Sequence, residues 1–438
     1  MNPRTAHRPR AALAAASAAA ALLALTACGG DGQGVAGEPD TPDEPVDLRM
    51  TVWTADEKQL AMFQEIADAY VAENPDLVSS VSFDSIPFED YTTALTTQLA
   101  GGNAPDLAWI FESNAPEFVS SGALVDLAPV LSEAEGYQYD DLEPSALELW
   151  KDGDGLYAYP FSNSPFGVFV NTDQLEAAGQ KNPADLVAAG DWTFDAARDM
   201  AAAAAEKSGK QGLVVRDFDY QAWENLATVW SGWGAAPWSA DGTQCTFTDP
   251  AMVEAMTWIH DATFADGAMP GPGTTADFFA GDAAMTITQI SRASSLDDSF
   301  GWDVVPLPAG PSGKQNVIGQ AGIGVFAAGK TPDVAADFLA WFTDPENAEK
   351  LSAYFPPPRE SLLTADSLAA ANPLLSADQL QDVVVDGITD AVTKPSHKNF
   401  AKLQETVRSQ LDAMWTADAD VAGVLGDTCD AITPLLED

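Results

Sequence analysis

The sequence predicts an α/β protein in which a parallel sheet is covered by helices. Three observations carry this. Short apolar runs at 48–53, 78–83 and 107–111 alternate with stretches whose apolar residues recur every 3.6 positions. Hydrophobic residues make up 46% of the chain and charged residues 20%, a globular composition, and 438 residues suffice for two or three domain-sized units. Glycine and proline clusters punctuate the pattern where elements should end.

The opening strand, 48–53 (LRMTVW), precedes a helix over 58–71 with apolar residues at Leu60, Met62, Phe63, Ile66, Ala67 and Tyr70. Strand 78–83, a helix over 88–100 stopped by Gly101-Gly102, and strand 107–111 complete the first run. A second unit of the same type starts with strand 166–170, helices near 172–178 and 193–206, strand 213–215 and a helix over 222–230. Turn-rich residues 234–247 lead to a helix over 251–264, and 267–273 (GAMPGPG) reads as a connection between units. Strands over 284–288, 302–305 and 323–327 follow, then helices over 334–342, 400–415 and 421–436. Ligands of such sheets bind beyond the carboxyl ends of the strands, which nominates Trp53 to Asp56 and Trp109 to Glu112.

Ahead of this body lies an address. Arg4, Arg8 and Arg10 precede an uncharged apolar run from Ala11 to Ala27, the pattern of a secretory signal peptide over 1–27. Leu25-Thr26-Ala27-Cys28 resembles the bacterial lipobox, which implies lipidation of Cys28 and anchoring at the outer face of the cell membrane. Residues 28–47 hold that cysteine and an acidic tether rich in Gly and Pro, too poor in apolar residues to fold.

Charge excludes several partners. With 20 Lys+Arg against 66 Asp+Glu, the formal net charge is −46, which rules out a nucleic-acid backbone as ligand. Three Cys and three His leave no room for a zinc finger or ribbon, and neither metal nor cofactor is expected. The chain lacks a Gly-x-Ser-x-Gly elbow, so a Ser/His/Asp hydrolase is not expected. Gly322-Ile323-Gly324-Val325-Phe326-Ala327 fits the dinucleotide pattern formally, but it opens no helix and reads as a strand.

Six segments in order then carry a resemblance: DLRMTVWT; FEDYTTALTTQLAGGNAPDLAWI; Gly122-Ala123-Leu124; GLYAYPFSNSPFGVFVNTDQLEAAG; FFAGDAAMTIT; and PLPAG with GQAGIGVFAAG. Together they resemble the family 1 extracellular solute-binding proteins of ABC importers, the maltose-binding-protein-like group. The resemblance implies a two-lobed periplasmic-binding-protein-like (type II) fold with a ligand cleft between lobes. It places 48–158 plus 275–318 in lobe 1 and 165–274 plus 326–438 in lobe 2, with hinge crossings at 159–164 and 319–325. The implied function is capture of a mono- or oligosaccharide by hinge closure and delivery to the permease, by a monomer that is not an enzyme.

A sugar site needs aromatic platforms with hydrogen-bonding groups at their edges. The ligand-binding candidates are Asp56 and Glu57 after the first strand, Trp109 and Glu112 around the end of the third, and Asn163 and Ser164 in the crossing segment. Lobe 2 contributes Tyr220 and Trp223 beside Asp219, Trp230 or Trp233 as the stacking ring, and Gln289, Ser291 and Arg292 after AAMTIT. Arg359, in FPPPRES, is the last candidate, with a structural ion pair as its alternative role. Cys245 and Cys429 remain after Cys28, and export makes a disulfide between them the expectation over free thiols. A binder of cationic solutes such as polyamines, a surface-anchored glycoside hydrolase and a purely structural lipoprotein are the alternatives weighed.

Overall fold

The computed structural model describes residues 39, 41–216, 220–271, 274, 276–371, 373–389 and 391–437. The leader 1–27, Cys28, most of the tether and Asp219 lie outside the described residues, as do parts of GAMPGPG.

Local rules account for the elements. Helix Glu57–Glu73 begins where the Asp56 carboxylate accepts the N–H groups of Lys58 and Gln59, and it buries Phe63, Ile66, Ala67 and Tyr70 along one stripe. Among the described residues, nine strands form the main sheet: β1 (Val46–Val52), β2 (Val78–Ser85), β3 (Leu107–Phe111), β4 (Tyr159–Asn171), β5 (Gln211–Val215), β6 (Ala283–Gln289), β7 (Trp302–Pro306), β8 (Val317–Val325) and β9 (Val392–Thr393). Their order is β2-β1-β3-β8-β4-β6-β5, with β9 beside β8 and β7 beside β4.

The sheet is mixed rather than purely parallel. β1 is parallel to β2 and β3, and β5 to β6. The two central strands, β4 and β8, run antiparallel to each other and to β6 and β3. β4 enters beside β8 at Tyr159 and leaves between β6 and β7 after Phe166, so one strand belongs to both lobes. All nine residues of β8 are buried. A Cβ at Gly322 would lie 2.9 Å from Trp150 and Ala158, so close packing, not a phosphate, explains this glycine.

Two cores divide the chain differently from the expected partition. One holds residues from Leu48 to Phe161 and from Ala321 to Leu351; the other runs from Phe166 to Ile318 and from Leu368 to Leu436. Residues 276–318 therefore belong to lobe 2, because β6 and β7 flank the far half of β4. Residues 326–351 belong to lobe 1, where Trp341 Nε1 donates to the Ile66 carbonyl (3.2 Å) and the Tyr70 hydroxyl to Asp337 (2.6 Å).

This arrangement requires a third crossing, between Phe355, packed on the first core, and Leu363, packed on the second. Arg359 anchors it. This residue is fully buried in lobe 1: its guanidinium donates to the carbonyls of Thr343 (2.9 Å) and Gln138 (3.4 Å), lies 3.6 Å from Asp141 and stacks 4.7 Å over Tyr137. Its expected ligand role thus gives way to the structural ion pair weighed as the alternative, since both terminal nitrogens of its fork are engaged within lobe 1. In lobe 2, a disulfide joins Cys245 to Cys429, 184 residues apart, tying the turn-rich segment to helix Val421–Leu436.

Replacing Arg359 with Met should lower the unfolding free energy by about 3 kcal/mol, because Asp141 loses its counter-ion and the buried Thr343 carbonyl loses its donor. Urea denaturation followed by circular dichroism measures it; an unchanged midpoint would show that the crossing is held by other contacts.

Candidate functional site

The carboxyl ends of β1 and β3 in lobe 1 face those of β5 and β6 in lobe 2 across a cleft. Its larger cavity, about 570 Å³, is lined by Phe88, Thr92, Phe111, Glu112 and Asn114 on one side and by Arg216, Glu224, Asn225, Lys394, Phe400 and Gln404 on the other. Glu112 opens the short turn after β3, and Lys394 follows the two-residue strand β9, which is held in place by its pairing with Val317 and Ile318. The two side chains meet across the cleft, Lys394 Nζ to Glu112 Oε1 at 2.9 Å, both nearly excluded from solvent. Glu224 lies one residue beyond Trp223, whose indole N–H donates to the Gln404 carbonyl (3.2 Å). Burial pushes the Glu224 carboxyl above its ordinary range, against the opposing charges of Lys394 and Arg216.

A smaller cavity of about 230 Å³ opens elsewhere between the lobes, lined by Asp56, Gln59 and Tyr354 to Pro356 from lobe 1 and by Ile290, Ser291, Leu368, Leu380 and Val384 from lobe 2. Aromatic rings connect the walls of the two cavities. Phe88 meets Phe111 (5.0 Å between centroids), Phe111 stacks on Trp53 (4.2 Å), Trp53 meets Phe161 (6.2 Å) and Phe161 meets Phe355 (5.1 Å). This wall is the surface of the lobe 1 core.

The expected residues are distributed unevenly over this geometry. Glu112 lines the larger cavity and Asp56 the smaller, where the carboxylate also caps its helix; Glu57 is exposed on the first turn. Trp109 is not a platform: it is 1% exposed and stacks behind the wall on Phe161 (4.6 Å). Trp223 and Trp230 are likewise core, packed on each other at 5.9 Å. Trp233 lies at a separate cavity of about 540 Å³ built from lobe 2 alone, with Phe194 and Trp258. Asn163 and Ser164 are buried struts of β4, Ser164 Oγ accepting the Ser291 N–H (3.2 Å). Gln289 lies against Gly319, where a Cβ would overlap its amide. Arg292 turns onto the Phe279 ring (5.0 Å) and lines neither cleft cavity. Tyr220 opens the helical turn Tyr220–Leu226, and its side chain lies outside the described residues.

Phe111, within the nominated stretch after the third strand, lines the larger cavity, whereas Lys394, Glu224, Arg216 and Phe88 were not expected. Lys394 carried one usable signal, a basic residue in a chain with so few. Among the described residues, no group of three or more His, Cys, Asp or Glu is placed to hold a metal, and no helix is long and apolar enough to cross a membrane.

Comparisons with known proteins agree with this geometry. The family of bacterial extracellular solute-binding proteins matches residues 54–349. A Brucella abortus chain described only as a binding protein is 26% identical over 291 residues, 62% of this chain; this chain spans 66% of that relative's length. An uncharacterized Streptomyces antibioticus lipoprotein is 24% identical over 324 residues, 71% of this chain and 69% of its own. Among solved structures, a Listeria monocytogenes ABC substrate-binding protein in complex with cycloalternan superposes with a TM-score of 0.76 at 23% identity, covering 90% of this chain and 99% of that one. The cyclic alpha-maltosyl-1,6-maltose binding protein of Arthrobacter globiformis gives 0.75 at 19% identity with the same coverage. The GacH receptor of Streptomyces glaucescens, solved unliganded and with acarbose, gives 0.73 at 22%, again with that coverage.

Replacing Lys394 with Met should leave the cleft carboxylates without their shared ammonium and lower stability by about 3 kcal/mol at neutral pH. The raised Glu224 value gives the sign: a bound proton favours the folded state at low pH, and that contribution is lost as pH rises. The loss should therefore shrink as pH falls below neutral, read by urea denaturation at neutral and at mildly acidic pH.

Proposed function

Because this chain belongs to the bacterial extracellular solute-binding protein family, we propose that it captures a sugar between its lobes and delivers it to an ABC permease. The observation that carries the reading is the cleft itself, where an aromatic wall runs alongside charged and amide groups from both lobes. Sugar C–H faces pack on such rings, and hydroxyls pair with carboxylates, ammonium and guanidinium groups and amides. The structurally similar Listeria, Arthrobacter and Streptomyces proteins bind, by their own titles, cycloalternan, a cyclic maltosyl-maltose and acarbose. No bond is broken in this reading. Ligand contacts to both lobes favour a closed form, with β4, β8 and the 356–361 segment absorbing the motion.

The protein acts outside the cell in this reading, held to the outer face of the membrane by a lipid on Cys28, as a monomer. The similarity to an uncharacterized lipoprotein supports the anchor, and two acyl chains would make it stable.

A chain starting at Gly29 should show a saturable thermal shift with one class of a panel of mono-, oligo- and amino sugars, little altered by salt and without turnover. A shift with spermidine alone, abolished by salt, would sink the sugar reading. Cys28→Ala in the full chain should move the protein from the membrane fraction to the medium.

A further inference from the structure

The cleft holds one group that its own protein contacts leave incomplete. Glu224 is 8% exposed, and among the described residues its Oε2 has no hydrogen-bond partner. A buried carboxylate oxygen without a donor is costly, so native structures rarely keep one without a use for it. Glu224 is not needed as the counter-ion of Lys394, which already has Glu112 at 2.9 Å and Asn225 Oδ1 at 3.5 Å. A second observation points to the same place. Arg216, which lines the same cavity, has a φ of +37°, a left-handed backbone that non-glycine residues seldom adopt and that persists where surrounding structure enforces it.

We propose that Glu224 is a specificity-determining residue of the cleft, whose free oxygen accepts a hydrogen bond from a hydroxyl of an uncharged sugar. This rests on the sugar-binding reading above. Two cations and two carboxylates line the cavity, so its charges cancel. A hydroxyl gains a strong charge-assisted acceptor there, whereas a polyamine must compete with Lys394 and Arg216 already in place. An analogue lacking that hydroxyl would leave the buried oxygen unpaired again and be rejected for that reason.

The test uses Glu224→Gln, which keeps shape and removes the charged acceptor. Titration calorimetry would use whichever sugar of the panel stabilises the wild type, beside the melting temperature of the protein without sugar. The expected result is a loss of affinity of about 10- to 100-fold with a melting temperature unchanged or higher. Unchanged affinity overturns the proposal. So does a melting temperature lowered by several degrees without sugar, which would make Glu224 a structural counter-ion. A wild-type shift with spermidine that the variant loses also overturns it, because the oxygen would then serve a cation. If no sugar stabilises the wild type, that failure falls on the sugar reading. The melting temperatures of the two proteins then decide separately whether Glu224 serves the fold: a fall overturns the proposal, and no fall supports an oxygen held for a ligand.

Discussion

Asn163 on β4 and Gln320 on β8 face each other where the two strands pass from one lobe to the other. Both are buried. The Gln320 amide donates to Asn163 Oδ1 (2.6 Å) and to the Ala146 carbonyl (3.1 Å). Asn163 in turn donates through its side chain to the Pro160 carbonyl (3.0 Å) and through its backbone to that of Pro356 (3.2 Å). One small polar network therefore touches all three crossings. Inside a low-dielectric interior, such a network defines a unique arrangement because each broken bond leaves a buried group unpaired. Register follows from it: a slip of one residue on β4 would exchange the two faces of every residue that follows.

In the proposed site, recognition and stability share residues in lobe 1. Phe88 and Phe111 at the larger cavity and Phe355 at the smaller, linked through Trp53 and the buried Phe161, form the outer layer of a cluster whose inner layer is Phe63 and Trp109. Packed rings back this wall from the core side. Lobe 2 instead offers charged and amide groups on a helical turn and a loop, each fixed by one deep anchor such as Trp223. The cleft thus joins an apolar wall to a polar one.

Much of the scaffold was legible from periodicity, and the positions after strand ends were informative. Glu112 and Asp56 came from that rule, and the chemistry of an exported chain with two remaining cysteines foresaw the Cys245–Cys429 link. The tryptophans were not legible by type alone. Trp109 lies in LAWIF, where four successive residues are buried, the sign of a strand covered on both faces. The lobe membership of 275–318 and 326–351 depended on whether the central strands pair parallel or antiparallel, a long-range property that no local pattern encodes. Lys394 follows a two-residue strand too short to show any period, and Glu224 lies in a tight helical turn without an amphipathic stripe. The proline run before Arg359 was a signal of an extended strap, and of the two roles weighed for that arginine the ion pair is the one the fold uses.

The disulfide of lobe 2 encloses more than lobe 2. The chain it closes runs out along β8, through lobe 1 as 321–355, and back over the 356–361 segment to Cys429. A part of each lobe is thus contained in a single covalent ring. Tension applied to the ends of the chain passes through the sulfurs and bypasses the 184-residue span between them. That span, on the order of 600 Å of contour length, stays out of the load path while the disulfide holds. Under the proposed attachment through Cys28, mechanical unravelling would begin with the amino-terminal part of the chain, leaving the ring behind as a closed remnant.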